Sequence, residues 1–195
     1  MSLSFHEFLH GYASYKLGDP TPKNSGRLTL NPLAHLDLIG SLVLLLTRRF
    51  GWAKPVPINP RYYKNPRKGM MIVGMAGPGA NLILALVFSA AIKLILNFSR
   101  YSLQGYAGSF VNMLLQFLVM AIMINLSLAF FNLIPVPPLD GSKILRGFLP
   151  AKFDKYFYKL EGPAGMVVLV ILLYTGVIWK IIGPIINFLL QILVY

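Results

Sequence analysis

Two apolar stretches dominate the pattern of this chain. Residues 69–96 and 110–134 each exceed the roughly 20 residues a helix needs to cross a bilayer core, and neither contains an acidic residue. Residues 163–179 form a third candidate span and residues 181–195 a shorter fourth. Lys180 and the Gly183-Pro184 pair lie between them and predict either a hairpin or a kink. The apolar run ahead of Gly18 is only about fifteen residues long, less than a span. It predicts a helix that enters the membrane partway or lacks its start, and we favour a start lost upstream or misplaced. Gly18-Asp19-Pro20 stops that helix. The alternating run Arg27-Leu28-Thr29-Leu30, between Gly26 and Asn31-Pro32, has the period of a strand. Residues 38–46 are apolar but too short to cross, which suits a re-entrant or interfacial piece under the first helix. The expected fold is an all-α membrane protein, a polytopic transmembrane helical bundle. A short strand-containing, partly membrane-embedded segment follows the first helix, and residues 1–195 form a single integral-membrane domain.

Composition agrees, since 56% of the residues are hydrophobic, which excludes an ordinary water-soluble domain. The formal charge of +12 invites a nucleic-acid reading, but its placement argues otherwise. Ten of the 18 Lys and Arg residues fall within residues 16–68 and five within 135–162, whereas the connection 97–109 holds only Arg100. By the positive-inside rule the two basic segments face the cytoplasm and the Arg100 connection faces outward, with two spans between them. The charge is thus a topological signal, with contact to anionic lipid headgroups as a consequence. Tyr62 and Tyr63, flanked by Arg61 and Lys64, suit headgroup depth. The chain has no cysteine, so any bound metal must be held by His, Asp or Glu. Neither a signal peptide nor an internal repeat is visible.

The residues His6-Glu7-Phe8-Leu9-His10 fit the H-E-x-x-H pattern. Two histidines four apart lie on one helical face and can grip one ion, while the glutamate beside them can act as general base on a water whose pKa the ion lowers. Two buried histidines, one paired with Glu7, would be the purely structural alternative. A second informative stretch runs from Phe130 to Gly141. Three prolines among residues 135–138 end a helix near membrane depth, which is tolerable only where the freed backbone is buried in protein or lines a wet cavity. Asp140 follows, the only carboxylate between Asp37 and Asp154. It could cap the next helix, or it could supply the ligand that zinc with two histidines and an open position still lacks. In residues 77–81, Gly77-Pro78-Gly79-Ala80-Asn81, the small residues form a packing notch. The Asn81 amide, set in an apolar helix, requires a partner.

Taken together, these motifs resemble the site-2 protease family of intramembrane zinc metalloproteases, in a compact prokaryotic branch without PDZ or CBS domains. His6 to Gly11 is similar to the family's first motif, and Asn132-Leu133-Ile134-Pro135 through Leu139-Asp140-Gly141 to its second. Gly18-Asp19, residues 26–35 ending in His35, and residues 77–81 match further signatures. The resemblance implies His6, His10 and Asp140 as ligands of one Zn²⁺ per chain, Glu7 as general base, and Asn132 as a polar catalytic residue near the site. Asn81 and His35 match family positions of less defined role. The implied setting is a multi-pass protein of a prokaryotic cell membrane, with its active site near the cytoplasmic face and the bilayer and a transmembrane protein substrate as partners.

A substrate helix hides its carbonyls in its own hydrogen bonds and must be unwound and held where water is scarce. Arg27, Leu28, Thr29 and Leu30 could do this as an edge strand that pairs with substrate backbone, with Asn81 as a further substrate contact. A plain structural strand is the other reading of that run. The rival function is a membrane protein that binds zinc without cleaving, either a metal-handling transporter or an inactive scaffold. Glu7 discriminates, because metal binding alone has no use for a carboxylate beside the first histidine.

Overall fold

The computed structural model describes residues 1–47, 51–99 and 106–194. Arg100, on which the outward-facing connection rests, lies outside the described residues, as do Arg48 and Arg49. The described chain is mostly helical: α1 (Ser2–Lys16), α2 (Thr21–Asn24), α3 (Leu38–Thr47), α4 (Pro66–Ser99), α5 (Tyr106–Asn132), α6 (Asp140–Phe148), α7 (Asp154–Leu160), α8 (Pro163–Tyr174) and α9 (Val177–Val194). Three of these, α4, α5 and α9, are long and apolar enough to cross a membrane. The first two are the spans the hydropathy predicts, extended by a few residues. At about 1.5 Å per residue the 34-residue α4 is roughly 51 Å long. It therefore outruns a hydrocarbon core of about 30 Å and carries its basic first turn beyond it. Ala85 and Ile92 of α4 pack with Leu118, Ile122 and Leu126 of α5 and with Ile178, Ile182 and Ile186 of α9 in one buried cluster.

The C-terminal region departs from expectation. Residues 163–179 are not one span: α8 ends at Tyr174 after 12 residues, and α7 with α8 forms a pair bent by 76°. The break falls at Gly176, whose φ of +71° is the left-handed conformation that glycine adopts without strain. Gly183-Pro184 makes no break at all and lies inside α9, together with Lys180.

The strand is the second correction. There is no sheet among the described residues, and the sole pairing of this kind is an isolated antiparallel bridge between Leu36 and Ala53. Local bonds consume the run that alternates. The Arg27 amide closes a turn on the Pro22 carbonyl, the Thr29 hydroxyl accepts from the Asn31 amide, and the Thr29 carbonyl accepts from His35 Nε2. Asn31 then caps a 3₁₀ turn over Pro32–His35 through the Leu33 amide. With its groups engaged nearby, this segment has no partner strand to join.

α1 is apolar outward and polar inward. Its buried residues are Ser4, His6, His10, Gly11 and Ser14, while Leu3 and Tyr12 are exposed. That inversion suits a helix whose outer face meets lipid and whose inner face carries the chemistry. The inner face lies on α4, at a notch made by Gly74 and Gly77. A β-carbon at Gly77 would stand 2.4 Å from His10 Nε2 and 2.6 Å from His6 Cε1, and one at Gly74 would stand 3.2 Å from the Asp140 carbonyl oxygen. Of the two glycines in the expected notch, Gly77 thus makes room for named site residues, whereas a β-carbon at Gly79 would meet nothing within 4 Å, and Gly74 adds to the notch from outside that run.

Candidate metal centre

The H-E-x-x-H turn of α1 and the first turn of α6 bring His6, His10 and Asp140 together. His10 Nε2 stands 3.0 Å from His6 Nε2 and 2.9 Å from Asp140 Oδ2, and His6 Nε2 stands 3.2 Å from that same oxygen. Asp140 reaches them because the proline-rich turn after α5 folds tightly enough that a β-carbon at Gly141 would lie 2.1 Å from the Leu133 carbonyl oxygen. The capping role does not hold: Leu139 is the cap residue of α6, and no side chain bonds the helix end.

Hydrogen-bond inventory decides what this triangle can hold. His10 Nδ1 lies 2.7 Å from the Val73 carbonyl, which only accepts, so Nδ1 carries a proton, and in the neutral ring Nε2 presents its lone pair. His6 Nδ1 likewise meets Asn81 Oδ1 at 2.6 Å. With both rings neutral, two nitrogen lone pairs and a carboxylate oxygen point at one another, an arrangement that calls for a metal ion, or in its absence a proton, among them. Tetrahedral zinc with ligand bonds of 2.0–2.1 Å has ligand-to-ligand edges of about 3.3 Å, close to the 2.9, 3.0 and 3.2 Å seen here. The residues present fit the ion. Their outer partners also follow the usual pattern for a metal site, each histidine donating its far N–H to an oxygen.

Lys143 completes this shell and went unnoticed in the sequence. Its Nζ lies 2.8 Å from Asp140 Oδ1, which leaves Oδ2 for the histidines. The signal was its position three residues past an aspartate at a helix start. Glu7, His6, His10, Asp140 and Asn132 all line one cavity of about 140 Å³, closed on the other side by Pro55, Val56 and Ile58. Glu7 Oε2 accepts from the Val56 amide at 3.2 Å. Asn132 faces the cavity but bonds none of the three ligands, and its Nδ2 donates to the Leu128 carbonyl one turn back.

The residues expected to hold substrate lie elsewhere. Asn81 is fully buried behind His6. Arg27 Nη2 donates to the Lys54 and Pro55 carbonyls at 2.7 and 3.0 Å and so clamps the segment that forms the cavity's far wall. Leu28 packs toward Gly11 of α1, Thr29 is tied to His35, and Leu30 is exposed. None of Arg27, Leu28, Thr29 and Leu30 lines the cavity, and without a strand the basis for strand addition is gone. Asp19, expected as a helix stop and as part of a matching family signature, anchors the same wall at its other end. It accepts from the Asn59 amide at 2.7 Å, the Ser14 hydroxyl at 2.7 Å and the Thr21 amide at 2.9 Å. Burial pushes its carboxyl up, but these donors outweigh burial and hold it below its ordinary value.

Comparison with known proteins agrees with this chemistry. The sequence profile of peptidase family M50 matches residues 101–175, which include Asn132 and Asp140. The chain is 39% identical over 187 residues to "Putative zinc metalloprotease YwhC" of Bacillus subtilis, covering 96% of this chain and 83% of that protein. It is 31% identical over 185 residues to a Rip2 protein of Mycolicibacterium smegmatis that carries the same description, covering 90% of this chain and 64% of that protein. A shorter match, 33% identical over 90 residues, is to "Zinc metalloprotease MJ0392" of Methanocaldococcus jannaschii, 46% of this chain and 23% of that one. No solved structure matches the chain at a significant level.

Proposed function

The chain belongs to peptidase family M50, the site-2 protease family, and from this premise we propose that it is an intramembrane zinc endopeptidase cleaving peptide bonds in or near transmembrane segments of protein substrates. The observation that carries the reading is the triangle of three acceptor atoms on His6, His10 and Asp140 with Glu7 on the same cavity wall. One zinc ion per chain is held by those three residues. When bound, zinc polarises a scissile carbonyl and lowers the pKa of water toward neutrality.

The protein's own residues do the rest. Glu7 takes the proton of the attacking water and returns it to the leaving amine. Lys143 holds Asp140 Oδ1 so that the carboxylate presents one oxygen to the histidines. Asn132, on the cavity wall at the end of α5, offers a polar contact to substrate. The basic segments around Arg61 and Lys155 support a cavity near the cytoplasmic face of a prokaryotic membrane, with residues 1–195 acting in this proposal as one membrane domain whose partners are the bilayer and a transmembrane substrate. A zinc-binding protein without hydrolytic activity is the weaker reading, because it gives no use to a Glu7 carboxylate that lines the same cavity as the three ligands.

Glu7→Gln separates the two. The variant is expected to retain zinc and to lose cleavage of a model transmembrane substrate by about 10²–10⁴-fold, the usual contribution of a general base. Undiminished cleavage by a zinc-loaded Glu7→Gln protein would overturn the proposal.

A further inference from the structure

Behind the metal centre runs a chain of buried amides that crosses three helices. His6 of α1 meets Asn81 of α4, and Asn81 Nδ2 lies 2.9 Å from Asn125 Oδ1 on α5. Asn125 Nδ2 in turn lies 2.8 Å from the Ala121 carbonyl and 2.9 Å from Ser2 Oγ. Both asparagines are fully buried. A carboxamide in an apolar span is costly unless every hydrogen bond is satisfied, and here each one is directed.

The direction can be read from one fixed point. The Ala121 carbonyl is backbone and can only accept, so Asn125 must turn its NH₂ group toward it and its oxygen toward Asn81. Asn81 must then present its NH₂ group to that oxygen, a choice reinforced by the Ser2 carbonyl 3.3 Å away. The Asn81 oxygen is thereby left facing His6 Nδ1, which must carry a proton to bond it. A neutral imidazole protonated at Nδ1 has its lone pair on Nε2, the atom that faces His10 and Asp140. With either amide reversed, two oxygens or two NH₂ groups would meet. His10 has no such dependence, because its Nδ1 bonds a backbone carbonyl directly.

We propose that Asn125 is a positioning residue which, acting through Asn81, sets the tautomer of His6 that binds metal. It touches neither metal nor substrate. The inference rests on the reading of His6 as a zinc ligand, and the experiment below keeps the two apart.

Full-length protein in detergent, labelled with ¹⁵N-histidine and stripped of metal, reports the ring tautomers, and competition with a chromogenic chelator reports zinc affinity. Wild type should show His6, assigned by difference from His6→Ala, protonated at Nδ1. Asn125→Leu, which keeps the bulk but neither donor nor acceptor, should populate the Nε2-protonated tautomer of His6 alone and weaken zinc binding about tenfold or more, as lost outer-shell partners do. His10 should be unchanged in the same spectrum. Asn125→Asp, neutral in this apolar setting, can donate its carboxyl O–H to the Ala121 carbonyl while keeping an acceptor toward Asn81, and should retain zinc affinity better than Asn125→Leu. Asn125→Ala gives the same comparison if leucine does not fold. A role in packing alone would lower thermal stability and leave tautomer and affinity untouched. That result, or equal damage from Asp and Leu, overturns the proposal. A wild type that binds no zinc would instead overturn the metal reading beneath it.

Discussion

Behind the three ligand atoms stand helices; in front of them stands a loop. The rear partners are the Val73 carbonyl, which bonds His10, Asn81 of α4, which bonds His6 and Asn125 of α5, and Lys143 of α6, which bonds Asp140, each carried on a packed element. The front wall includes Pro55, Val56 and Ile58, within an extended stretch, and bonds from this stretch and its flanks run to Arg27, Asp19, Glu7 and His35. Pro55 and Pro57 also remove alternate backbone donors from this stretch, which blunts it as an edge for pairing. The contrast teaches a division of labour. Ligand geometry is fixed from the side that cannot move without unpacking helices, whereas the other side is a loop held by a few bonds. Changes at the rear should therefore reach the metal, and changes at the front should reach turnover with the metal intact.

The largest effect is expected from Gly77→Ala. Its methyl group would enter the space of both imidazoles, and overpacking of about 1–3 kcal/mol, if borne by the metal site, corresponds to a loss of zinc affinity of about 5- to 150-fold, measurable by chelator competition. Gly79→Ala, two residues on with open space around it, should bind zinc as wild type does. Equal loss in both would mean that the helix and not the notch was damaged.

Arg27→Ala tests the front. Losing a charged donor to the Lys54 and Pro55 carbonyls should lower kcat/KM for a transmembrane substrate about tenfold, in keeping with about 1.5–3 kcal/mol for such a bond. Zinc content should not change, and a loss of zinc here would erase the distinction between the two walls.

Asp19→Asn should have the smallest effect, on stability. Asp19 titrates below its ordinary value in the folded protein, so its contribution is complete above pH 3.8 and is lost as pH falls through the lower folded value. The variant should melt about 2–4 °C lower near neutral pH, corresponding to about 1 kcal/mol. The gap from wild type should close in acid, as thermal unfolding in detergent across pH will reveal.

The same two walls differ in how far the sequence discloses them. His6, Glu7, His10 and Asp140 were legible because a fixed spacing on one helix, and a lone carboxylate after a proline-broken span, leave few other uses for those residues. The spans α4 and α5 were legible because length and apolarity decide them. Arg27 to Leu30 misled, since four alternating residues carry no information about a partner strand, and hydroxyl, imidazole and turn bonds nearby satisfied the segment first. The C-terminal break misled for a related reason: a proline inside a helix and a left-handed glycine look alike as punctuation, and the chain breaks at Gly176 while Pro184 stays inside α9. Asn125 was missed although the argument applied to Asn81 holds for any amide in an apolar span. What was lacking is the knowledge that α5 sets it beside α4.

Zinc K-edge X-ray absorption on the detergent-purified protein, with Asp140→Ala alongside, addresses the metal centre most directly. The wild type should contain one zinc per chain with two imidazole nitrogens and oxygen donors at about 2.0–2.2 Å and no sulfur. Asp140→Ala should lose zinc or replace that carboxylate oxygen in the first coordination sphere. Absence of zinc from the wild type, a spectrum with fewer than two imidazoles, or an identical spectrum from Asp140→Ala would contradict the assignment of His6, His10 and Asp140.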